Sequence, residues 1–218
     1  MKAYKTQFLE LALELGVLQF GEFKLKSGRI SPYFFNAGLF NSGYAAAKLG
    51  RCYAAAVEAL DLEFDMLFGP AYKGIPLVVL SAAALAEHYD RDYPFAYNRK
   101  EAKDHGEGGH TIGAALAGRV LILDDVITAG TAVREVLDVI TAAGGRPAGV
   151  LVALDREEVG TRARISAVQQ LSNELGVPIR SIVTLTDLVE HLEESGEYAD
   201  KLGSVRSYRN RYGAVFDP

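Results

Sequence analysis

From residue 44 onward the chain alternates short segments that are apolar throughout with longer segments whose apolar residues recur at helical spacing, and few folds accommodate that pattern. FDMLFGP (64–70), PFAYN (94–98), RVLILDD (119–125), AGVLVALD (148–155) and IRSIVTL (179–185) read as strands, and residues 44–60, 74–88, 131–145 and 163–175 as helices. Strands without polar alternation are buried on both faces, and parallel strands need long crossovers of the kind these helices supply. The expectation is a doubly wound α/β fold around a mainly parallel sheet. Ahead of it, Phe8, Leu9, Ala12, Leu13 and Leu15 recur at helical spacing before Gly16, which predicts an opening amphipathic helix. KSGRISPYFFNAGLFNSG (26–43) mixes turn formers with aromatics and suits a loop or short strands, a small cap over a site. One domain over 1–218 is expected, with about 1–43 as helix and cap, about 44–190 as α/β core and about 191–218 as a helical tail.

Composition narrows the function classes. A net charge of -5 and a pI near 5.4 argue against nucleic acid as the main partner. No run of 18 apolar residues exists, and the opening MKAYKTQFLELALELG lacks the apolar stretch of a secretory signal, so no membrane partner is expected. The single cysteine, Cys52 in RCYAAAVEAL, forms no internal disulfide and reads as a packed thiol on a helix face. These features predict a cytoplasmic protein.

VLILDDVITAGTA (120–132) carries two adjacent carboxylates, Asp124 and Asp125, to the end of a strand that reads as buried. In an open parallel sheet, ligands bind outside the carboxyl ends of the strands. Two acids there can accept hydrogen bonds from sugar hydroxyls or approach a hydrated Mg²⁺, and the small residues after them let backbone N–H groups close on a phosphate at the next helix start. Gly130 permits an unusual backbone angle or a close approach. The plainer alternative is a strand end and a helix cap joined by a turn. The stretch lacks the G-K-[ST] of a Walker loop and the G-x-G-x-x-G of a dinucleotide fold.

Four aliphatics, two acids, two aliphatics and T-A-G-T resemble the phosphoribosyl-pyrophosphate (PRPP) motif of the type I phosphoribosyltransferases. KSGRISPYFFNAG (26–38), FGPAYKGIPL (68–77), NRKEAKDHGEGG (98–109) and LDREE (154–158) resemble, in the same order, segments of the bacterial orotate phosphoribosyltransferases. The resemblance runs from the N-terminal helix to about residue 190. It implies transfer of the phosphoribosyl group of PRPP to orotate, giving orotidine 5′-monophosphate and pyrophosphate in UMP biosynthesis. Mg²⁺ would be carried by PRPP, with no metal site of the protein's own beyond contact through water to Asp124 or Asp125. A homodimer is implied, with a mobile catalytic loop shared between subunits.

Residue by residue, the resemblance places Lys26, Tyr72, Lys73, Arg99, Lys100, Lys103 and His105 on PRPP, together with Asp124, Asp125, Val126, Ile127, Thr128, Ala129, Gly130, Thr131 and Ala132. Arg99, Lys100, Lys103 and His105, with Asp124 and Asp125, are the candidate catalytic groups, Lys103 being the chief cation. Arginine and lysine offer charge-assisted donors to phosphate oxygens, and Gly106, Gly108 and Gly109 supply hinge freedom. Without the resemblance, the balancing Glu101, Asp104 and Glu107 would make this a solvated loop. Phe34, Phe35, Thr128 and Arg156 are implied for orotate, whose flat ring needs apolar walls and whose carboxylate suits a guanidinium fork. Adjacent phenylalanines are more often core, and Arg156 alone could be a solvated strand end.

Around GTRAR the spacing to ISAVQ departs from the family. A phosphoribosyltransferase for adenine or hypoxanthine would share the PRPP motif, but PYFFN and LDREE argue for orotate. A nucleic-acid-binding regulator is the alternative from another class. It rests on a helix-turn-helix look in RARISAVQQLSNELGVPIRSI, with Gly176 in the turn. The negative charge and the basic loop speak against it.

Overall fold

The computed structural model describes residues 1–103, 109–127, 130–160 and 165–214. Helix α1 (Ala3–Glu14) is stopped at Gly16, whose φ of +65° suits a residue without a Cβ. Strands β1 (Leu18–Lys24) and β2 (Ile30–Phe35) follow as an antiparallel ribbon with a register shift between Phe20 and Phe23. Of the loop or short strands expected over 26–43, β2 is a short strand, and β1 lies just ahead of that stretch. On β2, Ser31 and Tyr33 are buried and Ile30 and Phe34 exposed, the period-two pattern of a ribbon laid on a core.

Helix α2 (Gly43–Glu58) starts at Ser42, whose side chain accepts the Ala45 N–H. Strand β3 (Met66–Gly69), helix α3 (Gly74–Tyr89), strands β4 (Phe95–Lys103), β5 (Gly109–Gly113) and β6 (Arg119–Asp124) and helix α4 (Thr131–Ala142) continue the chain. Strand β7 (Arg146–Asp155), helix α5 (Ala167–Leu175), strand β8 (Ile179–Thr184) and helices α6 (Leu185–Ser195) and α7 (Ala199–Tyr212) complete it. The sheet order is β5-β4-β3-β6-β7-β8, parallel except for β5. Within residues 98–117, which fit neither a strand nor a helix period in the sequence, the described residues hold the end of β4 and antiparallel β5. The edge strand β5 has no need of the apolar run that marks a central strand.

The central strands are buried on both faces. Leu67, Leu121, Leu123 and Leu151 join a core with α1, α2, α3, α6 and α7, while Met66, Phe68, Val120, Ile122, Val150 and Val152 join a second core with α4 and α5. This is the doubly wound α/β architecture, with helices on either side. Cys52 packs in the first core, where burial pushes its thiol up to about 11. No helix among the described residues is long and apolar enough to cross a membrane.

Helix α6 runs through residue 190, where core was expected to give way to tail, and the chain breaks instead at Gly196. Its start is a capping box: Thr184 accepts the Asp187 N–H and Asp187 accepts the Thr184 N–H. Helix α7 packs on the domain through buried Val205 and Tyr208. After α5 and Gly176 the chain enters β8 and not a second helix, so the helix-turn-helix reading fails.

The chain passes from β3 outward to β4 and returns to β6 on the other side of β3, so strand order reverses between β3 and β6. A crevice at the carboxyl ends of such a pair is the ligand position of open α/β sheets. The β3–α3 turn is packed against it without slack. A Cβ on Gly69 would strike the Gly74 carbonyl oxygen and lie 2.7 Å from Val78 Cγ1, and one on Gly74 would lie 2.8 Å from the Leu123 oxygen of β6. Gly74→Ala is expected to lower stability by about 1–3 kcal/mol through overpacking. The readout is an earlier urea midpoint at an unchanged m value; an unmoved midpoint would show that the turn has room to shift.

Candidate active site at the carboxyl edge of the sheet

Strand β6 ends in Asp124 and Asp125, and β3 leads into Ala71, Tyr72 and Lys73 beside them. Asp125 is buried, and its Oδ2 accepts from Lys73 Nζ at 2.7 Å while its Oδ1 accepts the Val126 N–H at 2.7 Å. Asp124 Oδ1 accepts the Asp125 N–H at 2.9 Å. Tyr53, fully buried on α2, donates its hydroxyl to the Asp124 carbonyl at 2.8 Å and so ties the strand end to the helix layer. Burial, and then the charge of Asp125, raise the Asp124 carboxyl to about 6. Two neighbouring acids thus differ: one is neutralised by a lysine, and the other is held near the point of protonation.

The loop after β3 is fixed from β4. Asn98 Oδ1 accepts the Ala71 N–H at 2.7 Å, and the Ala71–Tyr72 peptide is cis. Tyr72 is 68% exposed, with the Lys100 ammonium 4.9 Å above its ring. Arg99 holds a buried Nη1 with no partner among the described residues, a donor left for an incoming anion. The structure therefore brings Tyr72, Lys73, Arg99, Lys100, Asp124 and Asp125 to one edge. Beyond them Val126 packs toward the first core and Ile127 toward the second. Gly130 has φ +71° and would place a Cβ 2.7 Å from Leu171, so both freedoms expected of it are in use. Thr131 and Ala132 open α4 exposed, and no side chain among the described residues caps that helix, whose first N–H groups can meet an anion.

Thr128, Ala129, His105, Gly106 and Gly108 lie outside the described residues, as does the stretch 161–164 where the family spacing departs. Lys103 ends β4, and its side chain and that of the neighbouring Glu101 are likewise outside them. Lys26 sits exposed in the β1–β2 turn, closed by the Gly28 N–H to the Leu25 oxygen. Phe34 and Phe35 do not form one wall, because successive strand residues face opposite ways. Phe34 is 39% exposed and stacks on Phe23 with centroids 5.4 Å apart, whereas Phe35 packs inward on Phe8 and Phe40.

Arg156, just past β7, is far from a solvated strand end. Its Nε donates to Glu158 at 2.6 Å, its Nη2 to Ser31 Oγ at 3.0 Å, and its guanidinium lies 4.3 Å from the Tyr33 ring centroid. A largely apolar cavity of about 240 Å³ opens beside the Lys73–Asp125 pair, walled by Phe40, Leu49, Tyr53 and Leu77. The sequence reading assigned no role to Tyr53, Asn98, Arg29 or Glu158. Asn98 and Glu158 stood inside quoted motifs, but their partners lie 27 and up to 129 residues away.

Residues 40–191 match the phosphoribosyl transferase domain family. Orotate phosphoribosyltransferase of Yersinia enterocolitica is 59% identical over 213 residues, 98% of this chain and the whole of that protein. That of Aliivibrio fischeri is 57% identical over the same length. The chain belongs to the orotate phosphoribosyltransferase family. The crystal structure of Francisella tularensis orotate phosphoribosyltransferase superposes with a TM-score of 0.84 at 42% identity, covering 94% of this chain and 98% of that one. The fold is shared more distantly by Leishmania donovani UMP synthase, with a TM-score of 0.75 at 21% identity over 97% of this chain and 42% of that one.

For this orotate phosphoribosyltransferase fold the carboxyl edge carries an electrostatic load. Asp155, at the end of β7, is raised to about 6, first by burial, while the Glu157 N–H works the other way and the Glu157 and Glu158 charges add to the rise. A folded value above the ordinary 3.8 means that folding favours the protonated form. The group costs nothing below about pH 4, and stability is lost as pH rises through about 6. Asp155→Asn is therefore expected to gain roughly 1–2 kcal/mol more at pH 8 than at pH 4 in paired urea titrations. Equal effects at both pH values would refute the raised ionisation.

Proposed function

We infer that this chain transfers the 5-phosphoribosyl group of PRPP to orotate, releasing pyrophosphate and giving orotidine 5′-monophosphate for pyrimidine biosynthesis. The observation that carries the reading is the meeting, at the reversal of strand order, of the Lys73–Asp125 pair, Asp124 and the uncapped start of α4, in a chain 59% identical to a named orotate phosphoribosyltransferase over nearly its whole length. Breaking the bond at the ribose anomeric carbon develops oxocarbenium character and frees an anion, so positioning and charge stabilisation carry the catalysis.

Each group has a task in this reading. Asp124 and Asp125 accept from ribose hydroxyls, and the N–H groups of Gly130, Thr131 and Ala132 receive the 5′-phosphate, with Val126, Ile127, Thr128 and Ala129 assigned to the same PRPP-binding stretch and Thr128 to orotate as well. Tyr72, Lys73, Arg99 and Lys100 hold the pyrophosphate; Lys73 is 56% exposed on its side-chain atoms and free to turn from Asp125 to a phosphate oxygen. Lys26 reaches PRPP from the cap. Phe34 offers a ring face to orotate, with Phe35 fixing the ribbon beneath, and Arg156 takes the orotate carboxylate. Lys103 and His105 complete the pyrophosphate site, and excluding water there protects PRPP from hydrolysis.

Mg²⁺ suits these residues as a passenger of PRPP. No group of three or more His, Cys, Asp or Glu among the described residues is set to hold a metal, and Mg²⁺ commonly uses one or two carboxylates plus substrate phosphates. Asp124, which pairs with no lysine among the described residues, is the group to meet it through water. Bound there, Mg²⁺ would neutralise charge on the departing pyrophosphate.

A homodimer is supported by α3, whose Pro76, Val79, Ala83 and Ala86 form an exposed apolar face continuous with the cavity beside Lys73. We place the protein in the cytoplasm on its single buried cysteine and the absence of a membrane-spanning helix among the described residues.

With PRPP and Mg²⁺, loss of orotate absorbance is expected at a rate far above that with uracil, adenine or hypoxanthine. Turnover of another base in place of orotate would overturn the substrate assignment. Lys103→Ala should lower kcat by about 10²-fold or more at little change in orotate binding, as loss of charge stabilisation in the transition state requires. Mixed with Arg156→Ala, it should recover part of the lost activity through hybrid dimers. No recovery would refute a Lys103 that serves the neighbouring subunit's site.

A further inference from the structure

The segment after β7 is gripped from three sides. Glu157, with φ +51°, turns its carboxylate to Thr186, which donates its N–H at 2.8 Å and its hydroxyl at 2.6 Å. Val159 donates its N–H to the Tyr212 oxygen at 2.8 Å and Ala214 donates to the Glu157 oxygen at 2.7 Å, so the end of α7 runs beside residues 157–159 as a strap. Between these anchors stands Glu158, its side chain 13% exposed. It accepts from Arg156 Nε at 2.6 Å, from the Tyr208 hydroxyl of α7 at 2.8 Å and from Arg29 Nη1 of the cap at 2.8 Å.

Arg156 is thereby constrained in three directions at once. A carboxylate fixes its Nε edge, Ser31 takes one Nη2 hydrogen, and Tyr33 lies under the guanidinium plane with Tyr208 set edge-on to it at 87°. Arg156 also meets the Tyr208 hydroxyl, and its five N–H donors exceed these contacts, so the Nη end keeps donors for a ligand. A guanidinium pinned by its Nε edge and by the ring below it presents those donors along one line, which is what bidentate grip of a planar carboxylate requires. Of the groups doing the pinning, Tyr208 comes from a helix that has no other link to the chemistry.

We propose that Glu158 and Tyr208 are positioning residues for orotate, with the C-terminal helix α7 aiming Arg156 at the orotate carboxylate through the Tyr208–Glu158–Arg156 relay. The proposal rests on the assignment of Arg156 to orotate. It gives the tail a place in substrate recognition, and it makes that contribution specific: among the described residues the relay makes no hydrogen bond to Tyr72, Lys73, Asp124 or Asp125.

The test is a kinetic cycle on the full-length protein. Tyr208→Phe keeps the ring contacts with Tyr33 and Tyr212 and removes only the hydroxyl, which donates to Glu158 and also meets Arg156. It is expected to raise the orotate KM by about 3- to 10-fold while the PRPP KM stays within about 2-fold, and Glu158→Gln should do the same more strongly. In an Arg156→Ala background, where the orotate KM is already high, adding Tyr208→Phe should change it no further. An orotate KM untouched by Tyr208→Phe, a parallel rise in both KM values, or a full effect in the Arg156→Ala background would each overturn the relay. Should Arg156→Ala leave the orotate KM unaltered, the residue assignment falls and the relay with it, while wild-type turnover of orotate would still stand as the separate test of the reaction.

Discussion

Met66, Leu67 and Phe68 of β3 pair in parallel with Val120, Leu121 and Ile122 of β6, and the meeting of Lys73 with Asp124 and Asp125 at one edge follows from that ladder. The strands lie side by side although about fifty residues separate them, because the chain first lays β4 and β5 on the far side of β3 and then returns. Reversal leaves the β3 and β6 exits facing each other with no crossover helix between them. The backbones close tightly enough that Gly69 and Gly74 have no room for a methyl group, one against the other's carbonyl and the other against Leu123. A turn held that firmly can point Lys73 at Asp125 from a strand other than the one that carries Asp125.

Charge at this edge is set by burial more than by composition. Asp124, Asp125, Asp155 and Glu157 end neighbouring strands of a sheet that is apolar up to that point, and like charges in a poorly solvated place resist joint ionisation. Each is settled differently. Lys73 holds Asp125, Thr186 holds Glu157, and Asp124 and Asp155 are raised to about 6. The cations Lys73, Arg99 and Lys100 come from the β3 exit and β4, and the acids Asp124 and Asp125 from the end of β6.

The surroundings of Arg156 are built differently. Its neighbours come from the cap (Arg29, Ser31, Tyr33), the exit of β7 (Glu158) and the last helix (Tyr208), joined by short hydrogen bonds between residues up to 129 positions apart. Tyr33 has a buried hydroxyl without a partner among the described residues, and burial holds its phenol far above the ordinary range. The uncharged ring is then available as a platform for the guanidinium. The cap and the C-terminal helix are thus both joined to Arg156.

The sequence by itself determined the parallel core, because only strands buried on both faces read as unbroken aliphatic runs, and the motif at 120–132, because a carboxylate pair followed by small residues is written in adjacent positions. Gly130 was legible for the same local reason. The ribbon β1–β2 and the β4–β5 hairpin were less so: an edge strand is exposed on one side, and its mixed composition mimics a loop. The tertiary structure alone decided that Phe34 and Phe35 face opposite ways, that Tyr53 and Asn98 brace the two catalytic turns, and that Tyr208 meets Glu158. Those contacts join residues 27 to 71 positions apart, and a hydrogen bond closed across such a distance leaves no period or spacing in the chain from which it could be read.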